Sequence, residues 1–116
     1  MASTKPIRLS IAKKLGDRKY RAAFFRARAQ DDVASAVRGL RKKRKLKQGR
    51  LAELCGTKQS AISRIEQSEY SAWNFSTLLR VATALDAKVR VIFEPAEDVI
   101  LGYALAELGH QVRPSR

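Results

Sequence analysis

The chain has 116 residues, and its 24 Lys and Arg against 11 Asp and Glu give a formal net charge of +13. That length suits one domain with a modest core, and the positive excess favours a polyanionic partner, nucleic acid ahead of an anionic membrane surface. Cys55 and His110 are the only cysteine and histidine, which excludes an intrachain disulfide and argues against a zinc site built on cysteines.

The N-terminal region, residues 1–31, is predicted to be a basic arm followed by a helix. Lysines and arginines are interleaved with apolar residues over residues 1–16, and Pro6 disfavours an early helix. Apolar residues then recur at helical spacing, so a helix is expected over about residues 18–30, either separate from the next helix or continuous with it.

An amphipathic helix is predicted over residues 32–45. Its buried stripe follows the i, i+3, i+4, i+7 pattern and consists of Val33, Ala36, Val37 and Leu40. The helix ends in the basic run of residues 41–45, where cations suit the helix macrodipole. A run of charge is most often a solvated helix face. Because this run directly precedes the segment described next, contact of Lys43 and Lys45 with phosphate groups is an equally good interpretation.

Residues 48–67 have the pattern of two short helices, predicted at 48–55 and 58–67, that cross steeply with a tight turn between them. Ala52 supplies the small residue at the crossing, and Gly56 supplies the positive φ of the turn. The inner faces carry Leu51, Cys55, Ile62 and Ile65. The outer face of the second helix begins with Lys58, Gln59, Ser60 and Ser63. Polar side chains at that place are typical of a helix that contacts base edges near its N-terminus.

The C-terminal part is predicted to contain a helix, a strand and a last helix. Asn74 is a good N-cap for a helix over residues 75–85. The apolar stripe of this helix consists of Phe75, Leu78, Leu79, Ala82 and Leu85. Alternating apolar residues predict a half-buried strand over residues 88–93, and a helix follows over residues 97–108. Since an unpaired strand is a liability, the N-terminal arm, a second chain or both should pair with it, and we favour the second chain.

Residues 32–85 resemble the lambda-repressor-like, Xre/Cro family of helix-turn-helix proteins. The match is dense over Gln48, Leu51-Ala52, Gly56 and Gln59-Ser60-x-Ile62-Ser63-Arg64-Ile65-Glu66. It extends more loosely to Leu40-Arg41 and to Leu78-Leu79-x-x-Ala82-x-x-Leu85. The resemblance implies a mostly α fold, with a five-helix lambda-repressor-like DNA-binding domain at residues 32–86, the N-terminal helical extension and one C-terminal β-strand. Residues 87–116 would then serve dimerisation.

The resemblance also implies a role for each matching polar residue. Gln48 would bond a phosphate at the start of its helix, and Thr57 would be the N-cap of the recognition helix. Gln59 would contact a base, because a glutamine amide can pair bidentately with adenine. Further contacts to bases or phosphates would come from Lys58, Ser60, Ser63 and Arg64. Arg41 and Glu66 occupy the positions of a structural ion pair that fixes the recognition helix, so they are not expected to contact DNA.

The expected function is therefore sequence-specific binding of double-stranded DNA by a transcriptional regulator, a repressor by preference. A homodimer is expected because one recognition helix, here residues 58–66, contacts only a few base pairs. The whole chain also resembles small antitoxins of the host-inhibition type, and this implies the alternative of an antitoxin that binds a small ribonuclease toxin and represses its own operon.

Two further classes fit less well. A basic protein bound to RNA or to a membrane leaves the Gly56 turn unexplained, and no run approaches 18 consecutive apolar residues. An enzyme is not expected, because paired carboxylates, metal-ligand clusters and phosphate-cradling glycine loops are missing from the sequence. We therefore expect a cytoplasmic protein with no cofactor and no metal.

Overall fold

The computed structural model describes residues 10–68 and 73–109. Within these residues the chain forms six helices, α1 (Ile11–Lys14), α2 (Arg18–Lys43), α3 (Gln48–Cys55), α4 (Gln59–Glu66), α5 (Phe75–Ala84) and α6 (Ala96–Glu107). The chain divides into two units, one containing residues 10–25 and 92–109 and the other residues 26–68 and 73–91. Most of the basic arm, Tyr70 and the tail from His110 lie outside the described residues.

The two helices expected over residues 18–45 are one continuous helix of 26 residues. Proline is absent from this stretch and alanine is frequent, so little in it opposes helix propagation. The helix ends where Lys45 adopts a left-handed conformation with φ 60°. There the N–H of Leu46 donates to the carbonyl of Arg41 at 3.0 Å, which closes the last turn in a Schellman-type arrangement.

The core of the unit formed by residues 26–68 and 73–91 is built mainly from α3, α4 and α5. The predicted inner-face residues of α3 and α4 are confirmed, since Leu51, Cys55, Ile62 and Ile65 are all buried. Val81 and Leu85 of the following segment complete this core, and Trp73 packs against it. Fully burying such a side chain stabilises a protein by about 1.5–3 kcal/mol, so these contacts fix the crossing of α3 and α4.

The predicted buried stripe of α5 is partly wrong. Phe75 and Leu79 are 52% and 44% exposed, whereas Val81, which the pattern left out, is 2% exposed. Six of the ten residues of α5 are apolar, so more than one helix face satisfies a helical repeat. Contact with α3 selects the face that carries Val81. The N-cap prediction for this helix is confirmed, because the Asn74 side chain accepts from the N–H of Thr77 at 2.8 Å.

The predicted fold class is wrong in two respects. Residues 88–93 do not form a strand, and in the described part of the chain no other strand occurs. The expected five helices at residues 32–86 are three complete helices, α3 to α5, and the end of α2. A strand needs a second strand for its backbone hydrogen bonds, and within residues 10–68 and 73–109 none is present, so the alternating pattern has no ladder to join.

The second unit contains α1, the start of α2, and α6. Leu15 is fully buried there, and the rings of Phe24 and Tyr103 meet edge to face with centroids 5.8 Å apart. The Glu107 carboxylate accepts from the N–H of Ile11 at 2.8 Å. The helix predicted over residues 97–108 is thus confirmed as α6. In the part of the chain that the structure covers, no helix is long and apolar enough to cross a membrane.

Candidate nucleic-acid interface

The turn between α3 and α4 sets the direction of the second helix. Gly56 has φ 69°, which confirms the predicted left-handed residue. The N–H of Thr57 donates to the carbonyl of Ala52 at 2.9 Å and so ends α3. Lys58, not the predicted Thr57, is the N-cap of α4, and its side chain makes no capping hydrogen bond. The first N–H groups of α4 therefore have no side-chain cap from that residue.

One face of α4 is polar and directed to solvent. Gln59, Ser60, Arg64 and Gln67 are exposed, whereas Ile62, Ile65 and Glu66 are buried on the opposite side. Ser63 is half-buried on the polar face, and its Oγ accepts from Nε2 of Gln67 at 3.1 Å. The structure thus exposes most of the predicted contact residues of α4. Gln67 belongs to the same face but was not identified from the sequence.

An open groove beside α4 brings together three residues predicted to contact DNA. Lys45, Gln48 and Gln59 line it, together with Lys47 and Arg50. The last two were not identified, although both flank Gln48 in a strongly basic stretch. The groove therefore combines cationic side chains and the two glutamine amides with one carboxylate, that of Glu53, which pairs with Arg50 at 3.1 Å. Predicted contact residues that do not line this groove are Lys43, Lys58, Ser60, Ser63 and Arg64.

The side chain of Gln59 lies against the start of α3. A Cβ built on Gly49 would lie 3.5 Å from Oε1 of Gln59, which is an ordinary contact distance. The Gln59 amide oxygen therefore lies close to Gly49, in the first turn of α3. Gln48, in the same turn of α3, lines the groove together with Gln59.

The structure brings Arg41 and Glu66 together in a buried ion pair. Nε of Arg41 donates to Oε2 of Glu66 at 2.6 Å and Nη2 donates to Oε1 at 3.0 Å. Only 12% of the Arg41 side chain and 4% of the Glu66 side chain are exposed. The geometry is bidentate, the arrangement in which an arginine and a carboxylate bond most strongly.

Glu66 has a second hydrogen-bond donor, which is the amide of Gln48. Nε2 of Gln48 donates to Oε1 of Glu66 at 3.1 Å. Burial by itself raises the pKa of Glu66, but the hydrogen bonds from Arg41 and Gln48 and the nearby arginine charges outweigh it, so the pKa is below its ordinary value. The same hydrogen bond to Glu66 raises the pKa of Arg41 above its ordinary value. Glu66 is therefore ionised at neutral pH.

Three arginines in the last turns of α2 or just after it donate hydrogen bonds to backbone carbonyls of the same chain. Arg38 donates to the carbonyl of Glu66 at 2.7 Å, and Arg41 donates to that of Leu46 at 2.8 Å. Arg44 donates to the carbonyls at positions 85 and 86, at 2.9 and 3.1 Å. These bonds satisfy carbonyls at helix ends and in a loop. The basic run is thus divided: Arg41 and Arg44 bond to the carbonyls of other segments, whereas the exposed Lys42, Lys43 and Lys45 take no part in these bonds.

A family model described as Helix-turn-helix matches residues 37–92. A search of curated proteins and a search of solved structures returned no match. The matched residues comprise the end of α2 and all of α3, α4 and α5, and they include every residue that lines the groove and the polar face of α4. Residues 37–92 therefore form a helix-turn-helix domain of the Xre/lambda-repressor-like family, which is a DNA-binding domain.

Proposed function

We propose that the protein is a sequence-specific transcriptional repressor that binds double-stranded DNA as a homodimer and places α4 in the major groove. The observation that supports this most directly is the groove, where the amides of Gln48 and Gln59 adjoin the exposed Lys45 and Lys47. Lysines there attract phosphates without regard to sequence, while an amide at the start of α4 can distinguish one base edge from another.

The test of this proposal is selection of bound sequences from a random duplex pool at about 150 mM salt, which suppresses non-specific binding. We expect an inverted repeat whose half-sites lie one helical turn, about 34–36 Å, apart. Enrichment of no motif, with binding that simply fades as salt is added, would contradict sequence-specific recognition.

The proposed dimer has support from exposed apolar side chains outside the DNA-binding helices. Phe93 is 93% exposed and Ile92 is 49% exposed, both in the unit formed by residues 10–25 and 92–109. Exposed apolar clusters are typical of interaction sites. A second copy of the chain is the partner that a two-half-site operator requires.

Replacing Phe93 by Ser is expected to weaken this dimer. The side chain would bury apolar surface on association, and that contribution is lost in the serine variant. Sedimentation at micromolar concentration should therefore show a shift from dimer towards monomer. Leu54→Ser is the matched control, because Leu54 is an exposed apolar residue of the other unit. Equal dimerisation of wild type and Phe93→Ser would exclude Phe93 from the interface.

Replacing Lys43 by Ala should weaken binding to all DNA sequences by the same factor. Lys43 is exposed at the end of α2, and its side chain carries an ammonium group rather than an amide that could pair with a base edge. Loss of one phosphate contact per protomer lowers the slope of log affinity against log salt by about 0.9 per contact. Arg44→Ala is the control, since Arg44 bonds two internal carbonyls. Its replacement should mainly lower the free energy of unfolding and should change the salt slope of DNA binding less than Lys43→Ala does. An unchanged slope for Lys43→Ala would remove Lys43 from the interface.

Replacing Lys45 by Gly should stabilise the protein and weaken DNA binding at the same time. Lys45 has φ 60°, a conformation that costs a residue with a side chain about 1–2 kcal/mol and costs glycine almost nothing. The thermal midpoint should rise, while affinity and salt slope fall with the lost cation. Asp86→Gly is the control, because Asp86 has φ 54° outside the groove; it should stabilise without changing affinity. Undiminished affinity of Lys45→Gly would contradict the phosphate contact.

The antitoxin alternative has one observation in its favour. Residues 10–25 and 92–109 form a unit that lies almost wholly outside the family match, and it exposes Leu101 and Leu108. Such a unit offers a surface for a second protein as well as for a second copy. Co-expression with the product of an adjacent toxin-sized reading frame distinguishes the two, since an antitoxin should form a stoichiometric complex that suppresses ribonuclease activity.

A further inference from the structure

We propose that Glu66, although it is buried and does not face the groove, is a positioning residue for DNA binding that acts through Gln48. Its carboxylate holds one N–H of the Gln48 amide and leaves the second N–H for a phosphate oxygen at the groove. This inference rests on the proposed phosphate contact of Gln48 and adds the residue that orients it.

The hydrogen-bond geometry carries the first step. Oε1 of Glu66 accepts from Nε2 of Gln48 at 3.1 Å and from Nη2 of Arg41 at 3.0 Å. A carboxylate accepts and cannot donate, so the Gln48 nitrogen, with two hydrogens, must point to it. One hydrogen is thereby used, and the other is available to an acceptor on the groove side, where Gln48 is a lining residue.

The rigidity of Glu66 carries the second step. Its side chain is 4% exposed and is fixed by the bidentate pair with Arg41. Arg41 is itself held by the carbonyl of Leu46 at 2.8 Å, next to the start of α3. Ordering a free glutamine side chain on DNA costs rotamer entropy. A glutamine already fixed by Glu66 has lost part of that freedom before it binds.

Glu66 is thus distinguished from a residue that only stabilises the fold. A structural role predicts that removing the carboxylate changes how many molecules are folded and leaves the contacts of the folded molecules intact. A positioning role predicts that folded molecules lose the contact made by Gln48 in particular. The two roles differ in whether the effects of changing Glu66 and Gln48 on affinity are independent.

The experiment is a double-mutant cycle on the selected operator, using Glu66→Gln, Gln48→Met and the double variant of the full chain. Affinity is measured at about 150 mM salt and at a temperature where circular dichroism shows each variant to be folded. Gln48→Met is expected to bind about tenfold more weakly, since it loses a hydrogen bond to a charged phosphate. Glu66→Gln should also weaken binding, and the double variant should bind within about twofold of Gln48→Met.

A second readout locates the contact. Ethylation of individual phosphates should interfere with wild-type binding at one position per half-site, and that interference should be lost in both Gln48→Met and Glu66→Gln. Retention of the interference in folded Glu66→Gln, or multiplicative losses of affinity in the cycle, would overturn the inference and leave the proposed function intact. Failure of any operator to emerge for the wild type would overturn both.

Should Glu66→Gln not fold, the wild-type chain still provides a test. The two side-chain amide protons of Gln48 should exchange with solvent at different rates in NMR spectra, because only one is bonded to Glu66. Equal and fast exchange, as in an unrestrained glutamine, would overturn the inference. Gln59, whose side chain is exposed at the first position of α4, is the internal reference for a glutamine amide that is not held by a buried carboxylate.

Discussion

Replacing Glu66 by Ala is expected to lower the free energy of unfolding by about 3–5 kcal/mol, the range found when one partner of a buried ion pair is removed. The variant leaves the guanidinium of Arg41 uncompensated with 12% of its side chain exposed, and it deprives Gln48 of its acceptor. Whole domains are stable by only about 5–15 kcal/mol. Urea unfolding followed by circular dichroism should therefore show a much lower midpoint.

Two comparisons make this result specific. Glu53→Ala breaks the exposed pair of Arg50 and Glu53, whose side chains are 59% and 70% exposed, and should change stability by less than about 1 kcal/mol. Replacing Arg41 and Glu66 together by methionine should recover much of the loss, since neither charge is then buried alone. If Glu66→Ala and Glu53→Ala lowered the free energy of unfolding equally, the buried Arg41–Glu66 pair would contribute no more to stability than an exposed pair.

The same ion pair gives stability a pH dependence of known sign. The pKa of Glu66 lies below its ordinary value of 4.5 in the folded protein, so the unfolded state binds a proton more readily. The contribution of Glu66 is then complete above the unfolded-state pKa and is lost as the pH falls through the lower folded pKa. Titrating the urea midpoint from pH 7 downwards should show this decline in the wild type and a weaker decline in Glu66→Gln.

Local rules were sufficient for the helix-turn-helix itself. The turn at Gly56 needs a positive φ and the inner faces need apolar residues at fixed spacing, and both requirements are met by residues close together in the sequence. The observed φ of 69° and the burial of Ile62 and Ile65 follow from that short-range information.

Non-local contacts decided the features that were predicted wrongly or not at all. The alternation at residues 88–93 describes a strand only if another strand lies beside it, and the sequence does not contain that condition. The orientation of α5 depends on contact with α3, which buries Val81 and leaves Phe75 exposed. Likewise the basic run looks uniform in the sequence, whereas Arg44 reaches carbonyls more than 40 positions away.

The sequence identified some of the residues that line the groove but not the full set. Gln48 and Gln59 were selected by resemblance, and Lys45 because its basic run precedes the helix-turn-helix; all three line one groove. Their roles in DNA binding remain predictions. The partner of Gln48 was not foreseen, because the sequence relates Glu66 to Arg41 and contains no signal that a third side chain joins the pair.

Replacing Gln59 by Ala is expected to reduce discrimination at one base pair of each half-site by about 1–3 kcal/mol. Gln59 is exposed at the first position of α4 and its amide adjoins Gly49, so truncation removes a donor and an acceptor without disturbing the core. Stability should change little. Affinity should be measured for the selected operator and for its three single-base variants at each position.

The pattern across those duplexes distinguishes a base contact from a phosphate contact. Loss of a base contact reduces the differences in affinity among duplexes that carry the four bases at one position, and it leaves the differences at other positions unchanged. Lys43→Ala, in contrast, should lower the affinity for every duplex by the same factor. If Gln59→Ala instead weakened all duplexes equally, Gln59 would contact the backbone. Base discrimination would then have to come from other exposed residues of α4, of which Ser60 and Gln67 share the polar face.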